Sequence, residues 1–482
     1  MIDCFIPFGT KEETLRTVAT LSASPLVNQI YLLATSEKQH VEGTTLLLTD
    51  SIQSSKSVKL IAEHAKSEYT LIYTKTTALT LGYFALNRMV QIATDSGAGM
   101  LYSDYRQIVE GKTQAVPLID YQEGSVRDDF NFGSLMLYYT DIVKYVTANK
   151  TDDYMFAGLY DLRLKVSQHT SLVHLNEYLY TEEELDNRLS GEKQFDYVDP
   201  RNRAVQVEYE AACTDHLKEI GAYLFPDFES VSFESEPFEF EASVIIPVRD
   251  RANTVEDAVR SALAQECSFK FNVIVIDNHS TDGTTDILKK LSADERLVHL
   301  IPERNDLGIG GCWNYGVHHA KCGKFAVQLD SDDVYSSPET LQKIVDAFYE
   351  QNCAMVVGTY RMTNFKMEEI PPGVIDHREW TPENGRNNAL RINGLGAPRA
   401  FFTPMLREIN VPNTSYGEDY ALGLNFSRKY QIGRIYDVLY LCRRWDGNSD
   451  ASLDIAKLNA NNSYKDKIRC IEIAARQRLN ML

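Results

Sequence analysis

Three carboxylates follow an apolar run in the second half of the chain. The run Phe325–Leu329 is typical of a buried β-strand, and Asp330, Ser331, Asp332 and Asp333 come directly after it. Acidic groups crowded at the end of a strand repel one another unless a cation lies between them. A hard divalent ion that also binds phosphate oxygens suits such ligands. An Asp-rich surface turn is the alternative interpretation of this run taken alone.

The elements upstream of this run alternate between strand and helix patterns. The expected helices include one that begins at Thr254, which forms a capping box with Asp257. This rhythm predicts a doubly wound parallel sheet, in which ligands bind beyond the carboxyl ends of the strands. Asp250, Asp277 and Asp330 fall at that edge. The four expected strands are Ser243–Pro247, Asn272–Ile276, Leu297–Leu300 and Phe325–Leu329.

Composition narrows the class of protein. A chain of 482 residues is long enough for two domains, and its net charge of −19 argues against a nucleic-acid partner. The eight Cys have neither Cys-x-x-Cys pairs nor His spacing, which is typical of reduced thiols in a cytoplasmic protein without zinc. We see no signal peptide and no apolar span of membrane length, so we expect no integral membrane segment. A peripheral membrane contact stays open.

The first half of the chain repeats the pattern of the second. Ile2–Pro7 parallels the strand that ends at Pro247, and Tyr69–Thr76 takes the place of the carboxylate-tipped strand. Its tip reads Thr74-Lys75-Thr76, which cannot hold a divalent cation. A repeat of this length indicates duplication of a whole domain. We therefore predict a degenerate, non-catalytic domain at 1–230 and a catalytic domain at 240–482 that includes the C-terminal helix.

Five motifs in order make residues 240–450 similar to the inverting family 2 glycosyltransferases. The resemblance implies an α/β protein with two tandem GT-A-like domains, the fold of nucleotide-diphospho-sugar transferases, each a mostly parallel sheet flanked by helices. The first half resembles the family only at the level of the fold. The motifs are Val244–Asp250, Ile276–Gly283, Asn305–Gly316, Leu329–Asp333 and Gly417–Asp419.

The resemblance implies a set of donor-binding residues at the edge of the sheet. Asp277 is expected to accept hydrogen bonds from the base or ribose, with a turn or helix-capping Asp as the alternative. Asn278 stands where the family often has a second Asp, so it keeps an acceptor and loses a charge. The other residues expected to border the nucleotide here are Pro247, Val248, Arg249, Asn305 and Ser331.

The resemblance also implies a divalent cofactor, Mn²⁺ or Mg²⁺. Asp332 is the expected principal ligand, and Asp330 would contact the ribose or metal-bound water. Such ions keep waters and bridge substrate phosphates, so one or two carboxylates suffice. The family often adds a His ligand near the end of the domain. No His lies between Ile432 and Leu482, so Asp446, Asn448 or water is expected to substitute.

The family places its general base where this chain has Tyr416–Tyr420. Inverting transfer needs a carboxylate that removes the proton of the acceptor hydroxyl as its oxygen attacks the anomeric carbon. We predict Asp419 for this role, with Glu418 second. The alternative is that both acids simply stabilise the N-terminus of the helix that they begin.

A run of basic and aromatic residues lies near the C-terminal end of the region that resembles the family. Arg443, Arg444 and Trp445 follow a predicted strand and suit a lid over the diphosphate, with guanidinium groups on phosphate and indole on the sugar. A solvated Arg pair beside a buried Trp is the alternative.

The sequence as a whole predicts transfer of a sugar from a nucleotide-sugar, UDP-sugar being the expected donor, to an acceptor hydroxyl. The acceptor is a growing polysaccharide, a lipid-linked oligosaccharide or a protein glycan, and a homo-oligomer through the N-terminal domain stays open. The alternative is a non-catalytic assembly or glycan-binding subunit built from two transferase-like domains. Nucleotidyl transfer is disfavoured because Val248–Asn253 lacks the glycines of a phosphate loop.

Overall fold

The computed structural model describes residues 1–148, 152–183, 202–234, 237–445 and 453–481. The chain divides into two compact units. The first unit comprises Met1–Leu189, Pro200–Tyr223 and Asp454–Leu482, and the second comprises Ser190–Asp199 and Leu224–Leu453.

The first unit contains a nine-stranded sheet in the order β3-β2-β1-β4-β8-β6-β9-β5, with β7 paired to β6. Its strands are β1 (Ile2–Pro7), β2 (Val27–Ala34), β3 (Thr45–Leu48), β4 (Tyr69–Tyr73), β5 (Thr80–Leu81), β6 (Met100–Val109), β7 (Lys112–Val116), β8 (Leu135–Tyr139) and β9 (Leu172–Glu183). Its helices are α1 (Lys11–Ser22), α2 (Ser55–His64), α3 (Ala85–Ser96), α4 (Thr140–Thr147), α5 (Gly158–Ser167), α6 (Arg203–Glu219) and the C-terminal α14 (Ile455–Asn480).

The second unit contains a sheet of the same plan, β12-β11-β10-β13-β17-β15-β18-β14, with β16 paired to β15. Its strands are β10 (Ala242–Val248), β11 (Phe271–Asp277), β12 (Leu297–Leu300), β13 (Phe325–Gln328), β14 (Val334–Tyr335), β15 (Met355–Thr363), β16 (Glu369–Ile375), β17 (Arg399–Phe402) and β18 (Ile432–Arg443). Its helices are α7 (Val255–Leu263), α8 (Thr284–Leu291), α9 (Ile309–Val317), α10 (Thr340–Gln351), α11 (Gly385–Asn388), α12 (Thr403–Ile409) and α13 (Glu418–Lys429).

The predicted fold class is confirmed, and both sheets are mixed. In the second unit β12, β11, β10 and β13 run parallel, whereas β17 lies antiparallel between β13 and β15. The parallel strands are almost wholly apolar and buried, as expected for strands covered by helices on both faces. The strand-helix rhythm of residues 243–329 predicted only this parallel part, because short antiparallel strands such as β17 leave little periodic signal.

The C-terminal helix groups with the first unit, in contrast to the predicted division. The Ser125 hydroxyl and the Arg127 Nε both donate to the fully buried Asp466 of α14, at 3.0 Å each. Asn459 of the same helix donates to the Pro117 carbonyl at 2.8 Å. These partners lie more than three hundred residues away in the chain, which is why local sequence patterns assigned the helix to its neighbours.

The capping box expected at Thr254 is wrong. Thr254 does precede α7, but its hydroxyl donates to the Ser331 carbonyl at 2.9 Å instead of capping the helix. Thr254 therefore ties the start of α7 to the loop that carries the carboxylates. No helix in the described part of the chain combines the length and the apolar character needed to cross a membrane.

Candidate active site

The carboxyl ends of three neighbouring strands place the candidate residues along one edge of the second sheet. Strand β10 lies between β11 and β13, with Ile245 opposite both Ile274 and Gln328. Their parallel course brings the residues after Val248, at Asp277 and after Gln328 to the same edge. We call this the carboxyl edge.

Asp277 is fully buried at the carboxyl edge, and its carboxylate oxygens accept hydrogen bonds from neighbouring residues of the protein. The Ser280 N–H donates to Oδ1 at 3.0 Å, and the Thr285 hydroxyl donates to Oδ2. His299 Nε2 lies 3.4 Å from Oδ2. Burial opposes ionisation, but these hydrogen bonds, His299 first among them, lower the pKa of Asp277 well below its ordinary value. Asp277 thus stays ionised and organises the turn into α8.

The neighbouring Asn278 holds the acceptor that the protein leaves unused. Its Nδ2 donates to the Leu307 carbonyl at 2.8 Å, while its buried Oδ1 has no hydrogen-bond partner among the described residues. A buried acceptor without a partner costs about 1–3 kcal/mol, so a ligand donor at this position would relieve it. The replacement of an acid by Asn at this motif position was the signal in the sequence.

The loop with Asn305 is attached to the carboxyl edge. His279 Nε2 lies 2.7 Å from the Arg304 carbonyl. Asn305 itself is exposed beside the ion pair of Arg304 with Asp306, which measures 2.7 Å. Its position borders the site, and its side chain makes no contact with the carboxylates in the described structure.

Asp330 lies where β13 ends. Its backbone N–H donates to the Tyr440 hydroxyl, and its Oδ1 accepts from Gln328 Nε2, each at 3.0 Å. Burial raises the pKa of Asp330, and the charge of Asp332 adds to the increase while Arg399 opposes it. Crowded carboxylates of this kind are stabilised by a nearby cation.

Asp332 is the more open of the two predicted ligands. Its side chain is 15% exposed, with Trp445 Nε1 at 3.3 Å and Arg251 Nε at 4.0 Å from Oδ2. Asp333 turns inward instead, where its Oδ1 accepts the backbone N–H of Arg443 at 2.7 Å. The structure therefore brings the predicted ligand and the predicted lid residue Trp445 together.

Arg443 braces the carboxylate loop from beneath. Its side chain is 1% exposed, Nε donates to the Asp332 carbonyl, and Nη1 donates to Asp257 Oδ2 at 2.7 Å. The half-buried Arg444 is anchored through its backbone N–H, which donates to the Thr363 carbonyl at 2.8 Å.

The remaining residues predicted to contact the nucleotide-sugar lie along the same edge and differ in how deeply they are buried. Val248 is buried, Pro247 is half-buried, and Arg249 is exposed with its Nε 3.9 Å from Asp250 Oδ2. Ser331 is buried and accepts from Thr254 through its carbonyl.

Arg399 joins the two groups of acids, and the sequence interpretation missed it. Its Nη1 lies 2.8 Å from Asp419 Oδ2, and its backbone N–H donates to Gln328 Oε1 at 3.1 Å. The charges of Asp419, Asp330 and Glu418 all act on its guanidinium. In the sequence Arg399 is only a single Arg after a loop that contains Gly and Pro. The pairing of β17 with β13 is what brings it near the carboxylates.

Helix α13 presents two acids with different surroundings. Gly417 precedes it at φ +77°, a conformation that suits glycine and turns the chain sharply into the helix. Asp419 is 31% exposed and paired with Arg399. The Oε2 of Glu418 is buried without a hydrogen-bond partner in the described structure, and burial together with Asp419 raises its pKa to about 7.

The donor set at the carboxyl edge fits a hard divalent ion. Within the described ranges, no group of three or more His, Cys, Asp or Glu side chains is arranged to hold a metal. Asp330 and Asp332 supply carboxylate oxygens, which suit Mn²⁺ or Mg²⁺ when water and phosphate complete the shell. Asp446 and Asn448, the predicted substitutes for a His ligand, lie outside the described residues.

Comparison with known proteins identifies the domain that carries this edge. The model of the family described as glycosyl transferase family 2 matches residues 243–410. The chain contains a family 2 glycosyltransferase domain.

Relatives of this glycosyltransferase domain cover about two fifths of the chain. The chain is 26% identical over 189 residues to the putative teichuronic acid biosynthesis glycosyltransferase TuaG of Bacillus subtilis, covering 39% of this chain and 72% of TuaG. It is 29% identical to the UDP-Glc:alpha-D-GlcNAc-diphosphoundecaprenol beta-1,3-glucosyltransferase WfaP of Escherichia coli, covering 39% of this chain and 70% of WfaP. These matches support glycosyltransferase activity for the domain at 243–410.

Among solved structures, the chain is similar to S. aureus TarS 1–349 in complex with UDP-GlcNAc. The identity is 22%, the match covers 49% of this chain and 72% of that chain, and the TM-score is 0.38. This likeness is too loose to transfer the role of any residue.

Proposed function

We propose that the second unit is a metal-dependent, inverting glycosyltransferase that moves a sugar from a UDP-sugar to an acceptor hydroxyl. The observation that carries this proposal is the contact of Arg399 with Asp419, since Arg399 also lies beside Asp330. It brings the predicted metal-binding loop and the predicted general base into one site. Neither group alone would define a transferase.

Asn278 is the proposed contact to the nucleobase. Its Nδ2 donates to the Leu307 carbonyl, so the amide is oriented, and its buried Oδ1 is an acceptor without a partner among the described residues. The imide N–H of uracil is such a donor. The name of WfaP includes a UDP-sugar, which also supports this choice of donor.

Asp332 and Asp330 are the proposed ligands of Mn²⁺ or Mg²⁺. When bound there, the ion would neutralise the charge that develops on the departing nucleoside diphosphate. Trp445 and Arg251, which both approach Oδ2 of Asp332, would border the same diphosphate.

Asp419 is the proposed general base. It is partly exposed, and Arg399 Nη1 lies 2.8 Å from one of its carboxylate oxygens. As the acceptor oxygen bonds to the anomeric carbon, the bond from that carbon to the diphosphate breaks and the hydroxyl proton passes to Asp419. The configuration inverts because bond formation and cleavage occur on opposite faces.

Glu418 is the alternative base, and its surroundings differ in a testable way. A carboxyl with a pKa near 7 is well matched to proton transfer at neutral pH. Its buried Oε2 has no partner among the described residues, whereas Asp419 is exposed toward solvent. Accessibility to an acceptor favours Asp419.

The proposed acceptor is a glycan under construction in polysaccharide or glycoconjugate synthesis. The names of TuaG and WfaP, which refer to teichuronic acid biosynthesis and to a diphosphoundecaprenol-linked sugar, support this class.

Thermal stabilisation by donors tests the proposal. Wild-type protein is heated with each of a panel of UDP- and GDP-sugars, with and without Mn²⁺. We expect a UDP-sugar to raise the unfolding temperature only with Mn²⁺, and the Asp332→Asn variant to lose this response. Equal stabilisation of the variant would contradict the assigned metal site, and a response to GDP-sugars alone would contradict the donor.

A further inference from the structure

Gln328 is the only polar residue of strand β13. The other three residues, Phe325, Ala326 and Val327, are apolar and fully buried, as is usual for a parallel strand inside a sheet. Gln328 is buried with them, at 4% exposure. Burying an amide is unfavourable unless its polar atoms are hydrogen-bonded, so the partners of this side chain indicate why it is there.

Both ends of the Gln328 amide bond to residues of the proposed transfer site. Nε2 donates to Asp330 Oδ1 at 3.0 Å, and Oε1 accepts the backbone N–H of Arg399 at 3.1 Å. A carboxylate accepts and a backbone N–H donates, so these partners fix which way the amide points. The guanidinium of Arg399 in turn lies 2.8 Å from the Asp419 carboxylate. Gln328 therefore connects a proposed metal ligand to the strand that carries the partner of the proposed base.

The main chain of Gln328 is held independently of its side chain. Gln328 pairs with Ile245 of β10, and its carbonyl accepts the Tyr335 hydroxyl at 2.9 Å. Neither contact involves the side-chain amide. We therefore expect strand β13 to keep its place when that amide is removed.

The first unit has an apolar pair where the second has Gln328 and Arg399. Ile72 of β4 pairs with the residue that precedes the Ile-Pro sequence of β1, and Gln328 pairs with the residue that precedes the Ile-Pro sequence of β10. Met136 of β8 lies opposite Ile72, as Arg399 of β17 lies beside Gln328. Both apolar residues are buried. The fold accepts an apolar pair at this place, so the polar pair goes with the unit that has the carboxylates.

We propose that Gln328 is a positioning residue for sugar transfer, which keeps the Asp330 carboxylate and the strand of Arg399 in a fixed relation. This inference rests on the proposed function of the second unit. Without Nε2, Asp330 loses a donor that orients its carboxylate toward the ion. Without Oε1, the Arg399 N–H loses its acceptor, and the guanidinium is held less firmly against Asp419. A displacement of about 1 Å in such a site can cost about a hundredfold in rate.

Calorimetric titration with UDP and the rate of UDP release from a UDP-sugar test this role in the full-length protein. The key variant is Gln328→Met, which keeps the length of the side chain and removes both hydrogen bonds. A second variant, Gln328→Ile, copies the residue of β4 at this position. The matched control is Gln265→Met, because Gln265 is also buried and its amide bonds to two distant main-chain groups, the Ser337 carbonyl and the Leu341 N–H. Denaturant unfolding of each variant is measured alongside.

We expect both Gln328 variants to bind UDP about tenfold more weakly than wild type in the presence of Mn²⁺, and no more weakly than wild type in its absence. We also expect kcat at saturating UDP-sugar to fall at least about tenfold, because the partner of the proposed base is displaced as well. Gln265→Met should leave both quantities unchanged.

A Gln328 variant with unchanged Mn²⁺-dependent affinity or unchanged kcat would overturn the proposal. Equal losses in Gln265→Met would overturn it too, as would failure of both Gln328 variants to fold, since the amide would then be needed for the fold itself. Wild-type protein without Mn²⁺-dependent binding of UDP would instead overturn the proposed function, which distinguishes the two failures.

Discussion

The two units build the same strand end and give it opposite charges. Strand β4 pairs with β1 and β8 as β13 pairs with β10 and β17. In the second unit this strand is followed by Asp330 and Asp332, whereas in the first unit it is followed by Thr74 and Thr76 on either side of Lys75. The fold therefore does not require the acids, and their presence in one copy alone supports the proposal that this copy carries the chemistry.

Strands β9 and β18, which hold the same place in the two sheets, also differ in charge at this edge. Tyr180 of β9 and Tyr440 of β18 both accept a backbone N–H through their hydroxyls. Two residues later β9 carries the buried acid Glu182, which lies 3.9 Å from Lys75 and accepts from the Ser134 hydroxyl. The first unit thus supplies its own cation and anion at this edge, so the described residues there do not need a divalent ion.

The helix of the proposed base differs in the same way. Helices α5 and α13 are positioned alike, since Tyr160 and Tyr420 in their first turns each donate to a main-chain carbonyl. Helix α13 begins with Glu418 and Asp419, but α5 begins with Gly158 and Leu159. The first unit lacks both acids, which supports the proposal that it is non-catalytic.

The largest expected effect on turnover comes from replacing Asp419 of α13, which has no acidic counterpart at the start of α5. Asp419→Asn keeps the side-chain shape and removes the base, so kcat for sugar transfer should fall by about 10²–10⁴-fold. Initial rates with a UDP-sugar and Mn²⁺ measure this. The unfolding temperature should change little, because Asp419 is partly exposed. A variant that retains nearly normal kcat would exclude Asp419 as the base.

Replacing the metal ligand should have the next largest effect. Asp332→Asn makes the second edge more like the first, and we expect at least a hundredfold loss of turnover, on the order seen when transition-state charge loses one stabilising group. The control is Asp437→Asn, because Asp437 pairs with Lys343 on the surface. Partial rescue of Asp332→Asn by high Mn²⁺ would support its role, and full activity of this variant without added metal would refute it.

Glu418→Gln separates stability from catalysis. The folded pKa of Glu418, about 7, exceeds its ordinary 4.5, so its contribution to stability is full below about pH 4.5 and is lost as pH rises through 7. Gln mimics the protonated form. The variant should therefore be more stable than wild type at pH 8 by up to about 3 kcal/mol, and nearly equal to it at pH 4.

Denaturant unfolding at the two pH values measures this difference. The rate of sugar transfer by Glu418→Gln, compared with that of Asp419→Asn, shows which of the two acids is the general base. A smaller loss than in Asp419→Asn supports Asp419 as the base, whereas a larger loss, with disappearance of an activity limb near pH 7, transfers the role to Glu418.

The smallest expected effect on turnover comes from the first unit. Lys75→Met should leave sugar transfer unchanged and lower the free energy of unfolding by about 1–2 kcal/mol, because the buried Glu182 loses its cation. Lys56→Met is the matched control, since among the described residues Lys56 pairs with the exposed Asp50 alone, at 3.6 Å. A tenfold loss of turnover in Lys75→Met, with none in Lys56→Met, would show that the first edge takes part in catalysis.

Sequence patterns predicted the parts of the molecule that local rules determine. The strand Leu297–Leu300 matches β12 at both ends, and the helix expected after Gly417 begins at Glu418. The convergence of Asp277 and Asp330 followed from the parallel course of β10, β11 and β13. The first two depend on residues close together in the chain, and the third depends on the alternation of strand and helix patterns along residues 243–329.

The remainder depended on contacts that no local pattern records. Arg399 meets Gln328 across 71 residues, and α14 meets Ser125 across 341. Both carboxylate oxygens of Asp277 accept hydrogen bonds, from Ser280 and Thr285, whereas Oδ1 of Asn278 has no partner among the described residues. Only the hydrogen-bond geometry shows this difference. Side-chain partnerships, more than element positions, separate the structure from the sequence prediction.

The most direct test of the contrast between the units is the number of UDP molecules that one chain binds in the presence of Mn²⁺, measured by calorimetric titration. We predict one site per chain, lost in Asp332→Asn and retained in Lys75→Met. Two sites per chain, or one site that survives Asp332→Asn, would contradict the account.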